Sequence, residues 1–367
     1  MEFKAAVLHQ VGAPLVVETV RLQALGPRDV LIRNHASGLC HTDLEVMQGS
    51  LAYPLPIVLG HEGAGEVAAV GAEVSAVKPG DHVIASWNPH CGHCFYCERD
   101  QPILCEPFTR HQPAGHLLDG GSRLSVNGLK LHHFSVVSSH AEYSVVPESG
   151  AIAIPRGIAF DRACLIGCGV MTGVGAVVRL ARLEAGANAA IVGCGAVGLN
   201  AIQGARIQSA GRIIAIDRDP VRLQAARRFG ATDTVLADEH AVAAVRELTD
   251  GRGADATFES AGAEAALQLS LEITRPAGQL VILGKTNVNH KVSLRFGSLM
   301  GEKRIVRSSY GGARPRRDFP WLAQRYLDGQ LMLDELIDMR LDLKDINDGF
   351  AAMQRGAVVR AVVMMHG

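Results

Sequence analysis

Ala189-Ala-Ile-Val192-Gly193-Cys194-Gly195-Ala-Val-Gly198 sets four apolar residues directly before a G-x-G-x-x-G string. The apolar run reads as a short buried strand, and Ala196 to Gln208 reads as the helix that follows it. Arg212 to Ile216 is a second strand, closed by Asp217, and Pro220 to Phe229 is a helix with proline in its first turn. In that context each glycine has a job. Gly193 permits the tight turn, Gly195 lets a pyrophosphate approach the backbone, and Gly198 lets helix and strand pack closely. The helix N-terminus offers unpaired N–H groups to the phosphates. Asp217 would accept the adenosine ribose hydroxyls and repel a 2′-phosphate, which favours NAD over NADP, although Arg218 beside it tempers that preference. A glycine-rich turn with no ligand is the alternative.

Outward from this segment the alternation continues. Asp233 to Leu236, Ala254 to Phe258, Gln279 to Leu283 and Arg304 to Arg307 read as strands, and Ala263 to Thr274 as a helix. Strand and helix at this interval predict a doubly wound parallel sheet over 171–309. Residues 1–170 read differently, as a β-rich domain with Phe3 to Leu8, Val30 to Asn34, Gly65 to Val70 and His82 to Ser86 as short strands. The charged, mixed tail 310–367 need not belong to the parallel sheet.

In the β-rich part, Cys91-Gly-His-Cys94-Phe-Tyr-Cys97 and then Cys105 follow a C-x-x-C-x-x-C-x₇-C spacing. Four thiolates from one short loop can close a tetrahedral shell around a zinc ion, and this segment is too polar to order itself by apolar burial. A cluster of core cysteines is the alternative, but four of the chain's eight cysteines fall in this one loop. Three further candidates are scattered: Cys40, the pair His61 and Glu62, and Cys168, each beside glycine. Singly each has a dull explanation as a core side chain.

Composition narrows the class. A length of 367 residues predicts two domains, and 40 glycines suit an α/β protein. Lys and Arg number 36 against 37 Asp and Glu, which argues against nucleic acid or an anionic membrane as partner. No apolar h-region opens the chain, apolar runs such as Ala189 to Leu199 fall far short of a membrane span, and the cysteines sit at metal-like spacings, so a cytoplasmic location is expected.

The motifs Cys40-His-Thr, Gly60-His-Glu-Gly, the four-cysteine loop, Gly167-Cys-Gly, the nucleotide fingerprint and the closing Val-Val-Arg360 occur in one order along the chain. Together they resemble the zinc-dependent medium-chain alcohol dehydrogenases essentially end to end. The resemblance implies a GroES-like catalytic domain joined to a Rossmann domain, two zinc ions per chain, and NAD. It implies Cys40, His61 and Cys168 as ligands of a catalytic zinc, a Cys₂His arrangement for which alcohol dehydrogenase is itself the standard example. Glu62 would be an occasional ligand and Asp43 the carboxylate that orients His61. Such a zinc lowers the pKa of an alcohol, whose carbon passes a hydride to NAD. Thr42 would bond the substrate oxygen, unless it is only a helix cap, and His41 would lie beside the pyrophosphate. Thr172 would pack near the nicotinamide, Arg222 near the ribose and Arg360 on the phosphates, with ordinary surface charge the alternative for the two arginines.

Departures from the family pattern bear on substrate and assembly. Glu45 replaces a histidine that ends the proton relay in many members, leaving Glu45 or His41 as the outlet. Leu51, Trp87 and Phe134 match positions lining the substrate channel, with core packing the alternative for Trp87. An aromatic or allylic primary alcohol is the expected substrate, followed by medium-chain aliphatic ones. The glutathione-dependent formaldehyde dehydrogenases are the competing reading, but they rely on acidic residues where this chain has Leu51 and Tyr53 and on an arginine where it has Thr109. A non-catalytic relative of the same fold is a further alternative. The insertion from Gln112 to His133 resembles that of dimeric members, so a homodimer is expected before a tetramer. Cys164 and Cys194 read as small packing residues.

Overall fold

In a computed structural model that describes residues 1–287 and 289–365, the segment Ala189–Val192 is the third of six parallel strands. The sheet runs in the order Asp233–Leu236, Ile213–Asp217, Ala189–Val192, Ala254–Glu259, Thr274–Ile282, Arg304–Arg307. Its first strand in sequence lies centrally and the order reverses beside it, which is the doubly wound arrangement. Val192 stands opposite Ile216 on one side and Glu259 on the other, so the carboxyl ends of these three strands share an edge. Ala189–Val192 and Ile213–Asp217 are buried along their whole length, which explains why they read as continuous apolar runs rather than alternating ones.

The chain divides into two compact units, Gly169–Ala313, which holds this sheet, and Met1–Cys168 with Arg314–Gly367. The latter unit contains two sheets. One runs Leu129–Lys130, Leu124–Val126, Val16–Leu22, Glu2–Leu8, Ile57–Val58, His132–His133. The other runs Ala151–Ala153, His82–Ala85, Gly63–Val70, Asp29–Gly38, Arg360–Met364, Ile337–Asp342, with Tyr143–Pro147 also paired to Asp29–Gly38. The charged tail therefore returns to this unit, with Val362 opposite Gly38. Between the sheets a core of Leu8, Leu39, Leu44, Leu59, Phe134, Phe350 and Val363 packs behind the residues described below.

Phe160–Leu165 is α-helical, and the turns Ile166–Val170 widen to π geometry before α-helix resumes at Met171–Gly175. Cys168 sits in that widened turn, a helix irregularity common at functional sites. The helical stretch Phe160–Ala181 is long and apolar enough to cross a membrane by length and composition. Glycines hid this in the sequence by breaking its apolar runs. Its most apolar window is 72% buried within the protein, which is the behaviour of a core helix.

Candidate active site and metal centres

Cys40 ends the strand Asp29–Gly38 region in extended geometry and caps the helix His41–Met47. Asp43, three residues on and wholly buried, points back. Its Oδ2 accepts the Cys40 N–H at 3.2 Å, its Oδ1 accepts the Gly60 N–H at 3.0 Å, and Oδ1 lies 3.3 Å from His61 Nδ1. One carboxylate thus ties together two chain segments that each carry a candidate ligand. With Nδ1–H donated to Asp43, the other ring nitrogen, Nε2, is the one that faces Glu62, at 3.9 Å, and can ligate once it is deprotonated. Donor atoms of Cys40, His61, Glu62 and Cys168 all lie within 4.8 Å of one another.

The protons in this group are arranged as a metal would find them. The Cys168 thiol donates to Cys40 and, against the cost of burial, holds the Cys40 pKa well below the ordinary thiol value. Cys168, keeping that proton, is pushed well up. Burial presses the His61 pKa down, but Asp43 and Cys40 overcome it and leave it well above the usual range. A thiolate, a thiol and an imidazole with Asp43 and Glu62 beside them form a donor set that would suit a soft divalent ion once those protons are released. Burial lifts Glu62 to about 8 despite Arg360, whose guanidinium donates to its Oε2. A Cβ on Gly38 would lie 2.3 Å from that oxygen, so only glycine leaves room for the pair.

The second group is the loop Cys91, Cys94, Cys97 and Cys105, whose sulfurs also lie within 4.8 Å of one another. Cys91 and Cys97 Sγ are 4.0 Å apart, close to the ~3.8 Å separation that four Zn–S bonds impose on a tetrahedron. Backbone N–H groups aim at the sulfurs, from Cys91 to Cys105 Sγ at 3.3 Å and from Glu106 to Cys94 Sγ at 3.5 Å. Against burial, the Glu106 and Cys97 N–H groups pull Cys94 down to about 6, whereas burial pushes Cys105 up to about 12.

At the nucleotide turn, Gly193 has φ +96° and its added Cβ would strike the Ala261 nitrogen at 2.9 Å. A Cβ on Gly198 would meet the Gly193 carbonyl oxygen at 1.8 Å, whereas one on Gly195 would meet nothing within 4 Å. The first and third glycines are therefore required by the protein itself. The second leaves open space at the start of the helix Ala196–Ile207, the cradle a pyrophosphate needs. Asp217 is buried, and its carboxylate accepts the N–H groups of Cys194 at 2.7 Å and Asp219 at 3.0 Å.

Residues 26–156 match the alcohol dehydrogenase GroES-like domain and residues 196–328 the zinc-binding dehydrogenase domain. The chain is 38% identical to the class-3 alcohol dehydrogenase of Myxine glutinosa, over 99% of this chain and 97% of that one. It is 36% identical to the S-(hydroxymethyl)glutathione dehydrogenase of Synechocystis sp., over 99% and 100%. The crystal structure of benzyl alcohol dehydrogenase from Acinetobacter calcoaceticus superposes with a TM-score of 0.94 at 28% identity, covering 100% of this chain and 99% of that one. The chain belongs to the zinc-dependent medium-chain alcohol dehydrogenases. It is an NAD-dependent enzyme with zinc as its metal.

Among the residues expected to line an alcohol dehydrogenase pocket, Phe134 is fully buried and sets its ring edge-on to His61, with centroids 5.5 Å apart. Tyr53 in turn packs edge-on to Phe134 at 5.0 Å, its hydroxyl accepting the Gln112 amide. Leu51 joins the same apolar group. Trp87 does not: it packs with Val83, Val137 and Val146 and faces Phe108 at 6.4 Å. Thr42 Oγ1 is 3.7 Å from Cys40 Sγ, and His41 is exposed. Arg360 is buried and engaged with Glu62, while Arg222 is half-exposed, 3.9 Å from Asp219. Thr172 lies half-buried in the helix Met171–Gly175. Cys164 and Cys194 are buried, as expected of packing residues. The sequence reading missed Tyr53 as part of this aromatic group and missed His140 altogether. His140 lies on no periodic face, and its partners are more than seventy residues away in sequence.

Proposed function

We propose that this enzyme oxidises neutral primary alcohols, aromatic or allylic ones first and medium-chain aliphatic ones next, to aldehydes with NAD, reversibly. The observation that carries the reading is the apolar aromatic run from Tyr53 through Phe134 to the edge of His61, with Leu51 alongside. Cys40, His61 and Cys168 would hold the catalytic zinc, with Glu62 in reserve, and the loop Cys91 to Cys105 the structural one. When bound, zinc supplies a Lewis acid that lowers the pKa of an alcohol, and NAD supplies the hydride acceptor. The protein's own part is positioning. Asp43 fixes the His61 ring, Thr42 Oγ1 beside Cys40 would accept the alcohol proton while passing its own to the cofactor ribose, and exposed His41 or half-buried Glu45 would be the outlet. Gly193, Gly195, Gly198, Asp217 and Arg222 would hold the dinucleotide, and Thr172 the nicotinamide side.

A second reading has support from relatives named S-(hydroxymethyl)glutathione dehydrogenase. A thiol adduct bearing carboxylates would meet Leu51 and Tyr53 in this apolar group, which disfavours it by the cost of burying unpaired charge. Initial rates of NAD reduction with benzyl alcohol, hexanol, and formaldehyde plus glutathione separate the two. Benzyl alcohol is expected to give the largest kcat/KM. Activity confined to the glutathione adduct would overturn the first reading.

A homodimer fits the exposed edge strand Arg304–Arg307 and the exposed Phe296 and Met300 near it, since unpaired strand edges and large exposed apolar side chains invite a partner. Sedimentation at micromolar concentration would test it.

A further inference from the structure

We infer that His140 is a positioning residue of the catalytic metal site, holding Asp43 towards His61 through a buried, directional chain of polar contacts. The inference rests on the zinc assignment proposed above and adds a member to it. Ser37, Ser139, His140 and Asp43 are all fully buried, and His61 nearly so. Ser139 Oγ lies 2.7 Å from Ser37 Oγ, Ser37 Oγ lies 2.9 Å from His140 Nδ1, and His140 Nε2 faces Asp43 Oδ1 at 3.8 Å. Asp43 Oδ1 then meets His61 Nδ1.

The direction of each proton follows from the last link. If Nδ1 of His140 carried the proton, its Nε2 lone pair would face a buried carboxylate, an uncompensated repulsion in a low dielectric. If Ser37 donates to Nδ1, the proton sits on Nε2 and points at Asp43. Ser139 must then donate to Ser37. Ser37 then accepts from Ser139 and donates to His140, so the two links are mutually consistent. Burial holds the His140 pKa down at about 4, so the ring is neutral: it steadies the carboxylate without setting a positive charge beside the metal. At 3.8 Å the contact is an oriented dipole on a charge rather than a short hydrogen bond.

Independent geometry ties the same residue to His61. Gly60 has φ +93°, and a Cβ there would lie 2.4 Å from the His140 nitrogen, 2.7 Å from His140 Nδ1 and 2.7 Å from Ser139 Oγ. A Cβ on Gly63 would lie 2.7 Å from Ser139 Cβ. The Ser139-His140 step therefore presses on both glycines that bracket His61-Glu62, while Phe350 supports the other side of the imidazole edge-on at 5.8 Å.

The test compares the wild-type enzyme with His140→Phe, which keeps a ring but no N–H, and His140→Gln, whose amide can return a donor near the Nε2 position. Zinc is counted per chain during challenge by a chelator, and the four-cysteine ion serves as an internal control for folding. Wild type should hold two ions, one lost faster than the other. H140F should lose the faster ion roughly 10-fold sooner, in the range found when groups that orient metal ligands are removed, while H140Q stays within about twofold of wild type. Equal retention in all three, or equal acceleration in both variants, would overturn the positioning role. A wild-type protein holding only the four-cysteine ion would overturn the zinc assignment itself, and the inference with it.

Discussion

Gly60 shows how closely the site is fitted around its ligands. Its φ of +93° is open to glycine, and its missing side chain is the space that the His140 backbone occupies. Gly12 has a similar φ of +80° but nothing within 4 Å of an added Cβ. Gly12→Ala should therefore cost about 1 kcal/mol, the strain of the conformation alone. Gly60→Ala adds a collision with backbone and should cost about 3 kcal/mol or more. Urea unfolding of the two variants gives the comparison, and equal costs would show that the Gly60 environment yields freely. At this scale the sequence was half legible. Glycines around Cys40, His61 and Cys168 signalled close approach, but not what approached: the Glu62–Arg360 pair at Gly38 and His140 at Gly60 join residues far apart in the chain, for which no local pattern exists.

The loop Cys91 to Cys105 packs through its cysteines against Phe108 and Leu117, but its turns have little else besides metal to hold them. Its two 3₁₀ turns, Cys97–Arg99 and Pro102–Leu104, contain no buried residue, and its ion pair from Asp100 to Arg314 is largely exposed. An exposed pair is screened by solvent and contributes little. Cys105→Ser should thus remove one zinc per chain and destabilise the protein by about 4 kcal/mol or more, whereas Arg314→Met should leave its stability almost unchanged. Thermal unfolding with zinc analysis distinguishes them, and a C105S protein as stable as R314M would mean the metal does not order the loop. Elements with a clear buried run were legible within a residue or two, such as Glu2–Leu8 and Ala254–Glu259. Val16–Leu22 was not, because only Val20 is fully buried and no alternation survives. Ile57–Val58 is two residues long and has no period to read. Thr274–Ile282 begins earlier than expected because its Pro-Ala-Gly stretch reads as a turn, and Ala277 does take a positive φ of 56° within it.

For the whole molecule, the parallel sheet was written in local pattern, whereas the grouping of Cys40, His61 and Cys168 was legible only through the family resemblance, since spacing alone leaves them isolated. Buried histidines extend the same theme to global stability. His133 is fully buried, and its Nε2 accepts the Arg123 N–H at 3.3 Å, so the ring must keep a lone pair there. Burial, reinforced by Arg123, His132 and Lys130 and opposed only by Asp119, lowers its pKa from 6.5 to about 3. In the unfolded chain the ring takes up a proton at its ordinary pKa, so below pH 6.5 the unfolded state binds more protons than the folded one. Stability from this group is complete above about pH 6.5, falls as pH falls, and stops falling only below about pH 3. Between pH 6.5 and pH 5 one such histidine costs roughly 2 kcal/mol. Urea unfolding at pH 5 and pH 7 should show that loss in the wild type, and His133→Gln, which cannot titrate, should recover about 2 kcal/mol of the difference. An unchanged pH slope in H133Q would mean that His133 accepts a proton in the folded state and that the Arg123 contact does not hold it neutral.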